Sequence, residues 1–421
     1  MKNLETLINE LCPDGVEFKP LWQVTAWDKK FNGVEKKWQQ KIISYPYVLA
    51  KVFDEIEEPS GNVKLLSTGI SDKERWTTEE KAGENLSEGE IVAIPWGGTP
   101  NVKYYKGKFV TADNRIATSL DCSILNNKFL YYWLNNNIKK LAKLYRGAGI
   151  QHPSMKGVLS LDIPLPPIEV QNEIVRILDK FTELEAELEA ELDCRKRQYE
   201  YYRDKLLSFE NVGGQDVEWK KMSEVIYSIN TGLNPRRFFR LNTIDAHNYY
   251  VTIKEMKNGN IVFNDDTDMI NDDALKLCNN RSHLEKGDLI FSGTGTIGQI
   301  VVLKETPTNW NIKEGLYSLK PIKEKIDSKY MAYILNETSI RKTYMKKALG
   351  GTVKSVPMKV LTNIKIPIPP LAEQERIVSI LDRFESLTTS LTAGLPAEIA
   401  ARRQQYEHYR DKLLTFKRKS A

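Results

Sequence analysis

The chain has 421 residues, 41% of them hydrophobic and 28% charged, with a formal net charge of +5. At about 150 residues per domain this length implies two or three domains. No apolar run approaches the roughly 18 residues that a bilayer crossing needs, so a membrane-spanning helix is excluded.

Met1-Lys2-Asn3-Leu4-Glu5-Thr6 lacks the basic-then-apolar pattern of a secretory signal, and a cytoplasmic location is expected. Cys12, Cys122, Cys194 and Cys278 lie far apart, so neither a disulfide framework nor a zinc site has support. His152, His247, His283 and His408 show no metal-ligand spacing, and no metal is expected. Pro13-Asp14-Gly15-Val16-Glu17-Phe18-Lys19 echoes the acid and lysine elements of metal-dependent nucleases. Those elements come from separate strands that converge on an ion, and here they adjoin, so a structural turn is expected.

Taken in chain order, Glu90-Ile91-Val92-Ala93-Ile94 predicts a strand. Lys103-Tyr104-Tyr105-Lys106-Gly107-Lys108 then interleaves bases with aromatic rings, a mixture suited to phosphates and base faces; a solvated hairpin is the competing reading. Lys128 to Leu144 predicts a helix whose end carries Ile138-Lys139-Lys140, followed by Gly147-Ala148-Gly149. Ile163-Pro164-Leu165-Pro166-Pro167 opens a segment in which Ile174, Ile177, Phe181, Leu184, Leu188, Leu192, Tyr199, Tyr202, Leu206 and Phe209 fall at spacings of three and four, with Arg195 filling the one gap. That pattern predicts one helix from about 169 to 209 with a single apolar stripe, roughly 60 Å long.

After this helix much of the pattern begins again. Arg236-Arg237-Phe238-Phe239-Arg240 is a second base and aromatic cluster, and Asp288-Leu289-Ile290-Phe291 and Gln299-Ile300-Val301-Val302-Leu303 predict strands. Phe291-Ser292-Gly293-Thr294-Gly295-Thr296-Ile297-Gly298 satisfies the dinucleotide G-x-G-x-x-G pattern and the F-x-G-x-G loop pattern of adenosylmethionine-dependent methyltransferases. A nucleotide loop must open a helix, whereas a strand follows here, so a tight β turn without cofactor is expected. The enzymatic alternative, a stand-alone methyltransferase or nuclease using the Gly293 loop, rests on this motif. Ser328 to Ala348 predicts a helix with Ile340-Arg341-Lys342 as counterpart of Ile138-Lys139-Lys140, and Gly350-Gly351-Thr352 aligns with the earlier glycines.

Ile366-Pro367-Ile368-Pro369-Pro370 repeats the earlier proline run 203 residues on, and Ile377, Ile380, Phe384, Leu387, Leu391, Leu395, Ile399, Tyr406, Tyr409, Leu413 and Phe416 repeat the stripe. Tyr199 to Phe209 matches Tyr406 to Phe416 at an offset of 207. The change of offset by about one helical turn, together with Gly394 and Pro396, predicts a stutter and a kink or break near 394 to 396. The stripes of the two helices predict a paired coiled coil of either orientation; packing of each helix on its own domain is the other possibility. The long helices hold eleven acids against seven bases (171 to 210) and seven against nine (371 to 421), leaving the basic excess to the divergent parts.

The chain is therefore a duplicated α+β protein: two similar mixed domains, 1–165 and 211–368, each followed by a helical segment, 166–210 and 369–421. With Pro164 to Gln171, Pro367 to Gln374 and the two Tyr-Arg-Asp-Lys-Leu-Leu segments, it closely resembles the specificity subunit of type I restriction-modification enzymes. The resemblance implies two target recognition domains, each reading one half of a bipartite asymmetric site in double-stranded DNA. It also implies helices that act as a spacer and dock two methyltransferase subunits, with motor and nuclease subunits joining the complex and the chemistry left to these partners. DNA contacts are then expected at Lys103, Lys106, Lys139, Lys140, Arg236, Arg237, Arg240, Arg341 and Lys342. Spacer and docking contacts are expected at Ile174, Ile177, Phe181, Tyr199, Tyr202, Ile377, Ile380, Phe384, Tyr406 and Tyr409.

Overall fold

Where a strand is covered on both faces, its sequence loses the in-out alternation, and Ile91-Val92-Ala93-Ile94 is such a case. In the computed structural model Val92 and Ile94 join the main core of the first unit, while Ile91 and Ala93 pack with Leu66, Phe109 and Ile116 on the other face. The structure describes residues 2–70, 74–209, 217–389 and 394–419; for residues 2, 3, 5, 236, 237 and 387–389 it describes the backbone alone.

The chain forms two units, one of Met1–Glu187 with Ala400–Ala421 and one of Leu188–Ile399. The first contains a six-stranded sheet in the order Thr25–Trp27, Asn114–Ser119, Ser87–Pro95, Lys103–Thr111, Val63–Leu66, Trp76–Thr77. All its pairings are antiparallel except Val63–Leu66 with Lys103–Thr111. The second contains a four-stranded antiparallel sheet, Ile226–Thr231, Leu316–Pro321, Leu289–Ser292, Ile300–Val302, and a three-stranded one, Met269–Ile270, Asn248–Val251, Trp310–Ile312. The expected class is found, and sheet topology is where the two units part.

The long helix runs Ile168–Ser208. Its repeat is two helices, Leu371–Thr389 and Leu395–Leu413. Gly394, within the span where the break was expected, has φ +85 outside the helix, and Pro396 sits in the first turn of the next helix, where its missing N–H costs nothing.

Each unit joins its mixed domain to a helix in the same way. Strand Glu17–Pro20 pairs antiparallel with Asp162–Leu165, and Glu218–Lys221 with Lys365–Ile368. Four residues after each proline pair a fully buried glutamine fills the corner. Gln171 Nε2 donates to Pro166 O at 2.8 Å and Ile124 O at 2.7 Å, and its Oε1 accepts from Asn126 N at 2.9 Å. Gln374 Nε2 donates to Pro369 O at 2.8 Å and Lys325 O at 3.0 Å, and its Oε1 accepts from Asp327 N at 2.8 Å. Two turns further, Asp179 accepts from Lys128 at 2.7 Å and from the Tyr132 hydroxyl at 2.6 Å, and Asp382 accepts from Lys329 at 2.5 Å and Tyr333 at 2.7 Å. Burial, then the adjoining carboxylates, push both tyrosine hydroxyls far above their usual pKa, so they remain donors.

Within each unit the helix stripes also meet. In the first, Phe181 stacks on Tyr409 at 5.6 Å and tilts on Tyr406 at 6.3 Å, while Glu185 pairs with Arg403 at 2.5 Å, which fixes an antiparallel direction. In the second, Tyr202 stacks on Phe384 at 5.8 Å. Each phenylalanine thus meets a tyrosine from the other copy of the repeat.

Ile174 and Ile377 are fully buried in the cores of their own units. A docking role for them is corrected to packing, because a partner chain cannot reach a side chain with no exposed surface. Ile177 is half-buried against the first core, and Ile380 and Tyr199 are half-buried in the second unit. Tyr202 keeps 44% of its surface exposed, leaving an edge of its ring open.

Candidate nucleic-acid interface

Residues 122–161 contain six bases and no acid, and residues 338–372 contain seven bases and no acid. Local folding then sorts these side chains by period. Asn126 caps the helix Asn127–Asn136 by accepting from Lys128 N and Phe129 N, and that helix buries Phe129, Leu130, Trp133 and Leu134. The chain bends at Asn137 into a short second helix, Ile138–Ala142, which buries Leu141. Lys139, Lys140 and Lys143 are left on its outer side, with exposed Arg146 just beyond.

The second unit does the same with other residues. Asp327 caps Ser328–Asn336. The Glu337 carboxylate caps Thr338–Met345 by accepting from Ser339 N at 2.9 Å and Ile340 N at 2.8 Å. Ile340 and Tyr344 face inward, while Arg341, Lys342, Lys346 and Lys347 face outward. The single helices expected over 128–144 and 328–348 are thus each two helices, broken at Asn137 and Glu337. Among the described residues none of Lys139, Lys140, Lys143, Arg146, Lys342, Lys346 or Lys347 has an ion-pair partner. Arg341 makes only a long contact, Nη2 to Ile297 O at 3.5 Å. Each unit therefore holds one surface of exposed, uncompensated positive charge at the same place in its framework, which attracts a polyanion.

The other candidates fare differently. Lys103 and Lys106 lie on one strand, Lys103–Thr111. Lys103 Nζ donates to Ser67 O at 3.0 Å and Oγ at 3.3 Å. Lys106 pairs at 3.2 Å with Glu90, which stands opposite it in the ladder. Lys103 is held within the sheet, whereas Lys106 keeps 70% of its side chain exposed beside Glu90, a cross-strand pairing that the segment's own composition does not reveal. Arg240 is exposed, and the side chains of Arg236 and Arg237, in the turn Pro235–Phe238, lie outside the described residues.

The Gly293 segment is the hairpin that the following strand implied: Leu289–Ser292 and Ile300–Val302 pair antiparallel. Its amides are used internally. Gly293 N donates to Gly315 O, Gly295 N to Lys354 O, Gly298 N to Ser292 O, and Gln299 N to Ser292 Oγ. A Cβ at Gly293 would collide with the Tyr317 ring. This loop offers no free row of amides to a nucleotide phosphate, and the cofactor reading fails on that geometry.

Sequence reasoning missed the absence of acids across both basic stretches. It also missed that Lys143 and Lys346 stand at the 203-residue separation of the glycines, although Met155-Lys156 and Met358-Lys359 already align at that separation; counting acids along each half would have exposed the first signal.

A duplicated α+β frame with a cationic face on each unit has the form of a nucleic-acid-binding protein. The family model described as "Type I restriction modification DNA specificity domain" matches residues 49–193 and 215–401. The chain is 34% identical over 313 residues to the type I restriction enzyme EcoR124I/EcoR124II specificity subunit of Escherichia coli, covering 72% of this chain and 74% of that one. It is 25% identical over 359 residues to the MjaVIII specificity subunit of Methanocaldococcus jannaschii, covering 79% and 81%. The crystal structure of a type I S subunit from M. genitalium has the same fold, with a TM-score of 0.54, 17% identity and coverage of 95% and 96%. The chain belongs to the type I restriction-modification specificity subunit family, whose members are non-catalytic DNA-recognition subunits. Among the described residues no helix is long and apolar enough to cross a membrane.

Proposed function

We propose that this chain reads a bipartite, asymmetric double-stranded DNA site, with one half taken by residues 1–165 and the other by 211–368. The helical segments 166–210 and 369–421 act as a spacer and dock two methyltransferase subunits, and motor and nuclease subunits join through that complex in the cytoplasm. One observation carries this reading: the acid-free, outward-facing cations recur on the same helix end of both units, while the sheets around them differ. Shared cations suit sequence-independent phosphate contacts, and differing sheets suit different base sequences. The half-exposed rings near Tyr202 are the side of the helices left for a partner.

In the complex assembled with its methyltransferase subunits, Lys139→Ala with Lys140→Ala, and separately Arg341→Ala with Lys342→Ala, are expected to weaken binding to duplex DNA. Each pair lowers the slope of log affinity against log salt by about 2. Titrations at several salt concentrations measure it, and unchanged slopes in both variants reject the anchoring surfaces.

A further inference from the structure

Beside each cationic helix end stands a glycine hairpin that phosphate anchoring leaves unexplained. In the first unit Tyr145–Arg146 pairs with His152–Pro153, and the tip between them is Gly147-Ala148-Gly149-Ile150-Gln151. In the second, Leu349 and Ser355 exchange two backbone hydrogen bonds of 2.7 Å around Gly350-Gly351-Thr352-Val353-Lys354. Gly147 has φ +141 and Gly350 φ +111, and a Cβ on either would collide with the carbonyl oxygen of Ile150 or of Val353. Only glycine closes so tight a turn.

Both tips are braced from behind by a second glycine turn. Gly98 N donates to Gln151 O at 3.0 Å, and Gly295 N donates to Lys354 O at 2.9 Å; Gln151 and Lys354 are 203 residues apart, as are the tip glycines. What the braced tips hold outward is aliphatic: Ile150 is 69% exposed and Val353 is 61% exposed.

A single exposed aliphatic residue needs no explanation. Two of them do when they occupy the same position of a duplicated unit whose sheets have diverged. Each is fixed on a rigid turn, and each is flanked by exposed cations in a stretch without acids, Arg146 on one side and Lys347 and Lys354 on the other. An apolar point ringed by positive charge matches a ligand with a negative rim and an apolar interior. The DNA major groove has that form, with phosphates along its edges and thymine methyl groups on its floor.

We propose that the two glycine hairpins enter the groove, with the flanking cations on phosphates and Ile150 and Val353 against thymine methyls, one in each half-site. This rests on the DNA-reading function above and adds to the same surface a component that is directed at bases and insensitive to salt.

The test uses the full chain assembled with its methyltransferase subunits, and a duplex carrying the site mapped by sequencing the methylated bases of DNA from cells that contain the complex. Ile150→Ala and Val353→Ala are each expected to weaken binding about tenfold at every salt concentration between about 50 and 200 mM, leaving the salt slope unchanged. Ile150→Val and Val353→Ile, which keep the aliphatic surface, retain affinity. Uracil in place of one thymine per half-site reproduces the loss with the unaltered chain and adds nothing to the matching Ala variant. Wild-type affinity in both Ala variants, or no thymine that responds in either half, overturns the proposal. So does loss of methyltransferase-subunit assembly in the Ala variants, since it assigns the tips to a protein interface. If the unaltered complex does not prefer the mapped duplex over a scrambled one, the DNA-reading function itself has failed; preference retained alongside indifferent Ala variants removes the tips alone.

Discussion

The corner between recognition part and helix is nearly the same in the two units, whereas the sheets are not. Gln171 and Gln374 make matching sets of three hydrogen bonds, and Asp179 and Asp382 each hold a lysine and a tyrosine. The sheet of the first unit has six strands, and the second divides its strands between sheets of four and three. The difference separates two demands. A joint has to be satisfied polar group by polar group, because buried donors and acceptors without partners are costly. A reading surface has to differ from its twin, since equal surfaces would read equal half-sites.

The strongest way to break this comparison is at the joint. Gln171→Leu takes the partner from the buried Pro166 carbonyl and from the part-buried Asn126 N and Ile124 carbonyl, and Gln374→Leu does the same at Pro369, Asp327 and Lys325. Each substitution is expected to cost about 3 kcal/mol or more. Chemical denaturation with probes in each unit measures this, and a large loss from only one substitution would mean that the two corners are not equivalent.

A smaller effect contrasts the two buried carboxylates of the sheets. Burial raises Asp28 to about 6 despite its hydrogen bond from Ile116 N and the nearby Arg115 and Lys29, and burial also raises Asp288. For Asp28 the folded chain holds its proton at a pH where the unfolded chain has released it, so ionisation above about pH 6 opposes folding. That penalty disappears as the pH falls toward the ordinary carboxyl value. Asp28→Asn is therefore expected to stabilise the first unit by about 1 to 3 kcal/mol at pH 8 and by nothing near pH 4. Melting curves across that range test it, and an advantage independent of pH would assign the effect to something other than ionisation.

The smallest expected effect sharpens the contrast between sheet and helix-end cations. Lys106→Ala removes a side chain already paired with Glu90, so the salt slope of DNA binding stays at its wild-type value in the same titrations that register the loss of Lys139 and Lys140. A slope lowered by about 1 would return Lys106 to the interface.

Three things were legible in the amino-acid order alone. The duplication follows from recurrence at offsets of 203 and 207, and the long helix from apolar spacing, because both are written in local periodicity and need no knowledge of what lies opposite. The hairpin at Gly293 was readable for the same reason, since a strand follows it. Tertiary structure decided the rest. It set Lys106 beside Glu90, sixteen positions away in the chain, drew Ile174 and Ile377 into cores where a helical stripe had pointed to partners, and set Phe181 against Tyr409 across more than two hundred residues. Long-range pairing of charges and rings depends on strand register and chain path, which composition and spacing within a segment do not encode.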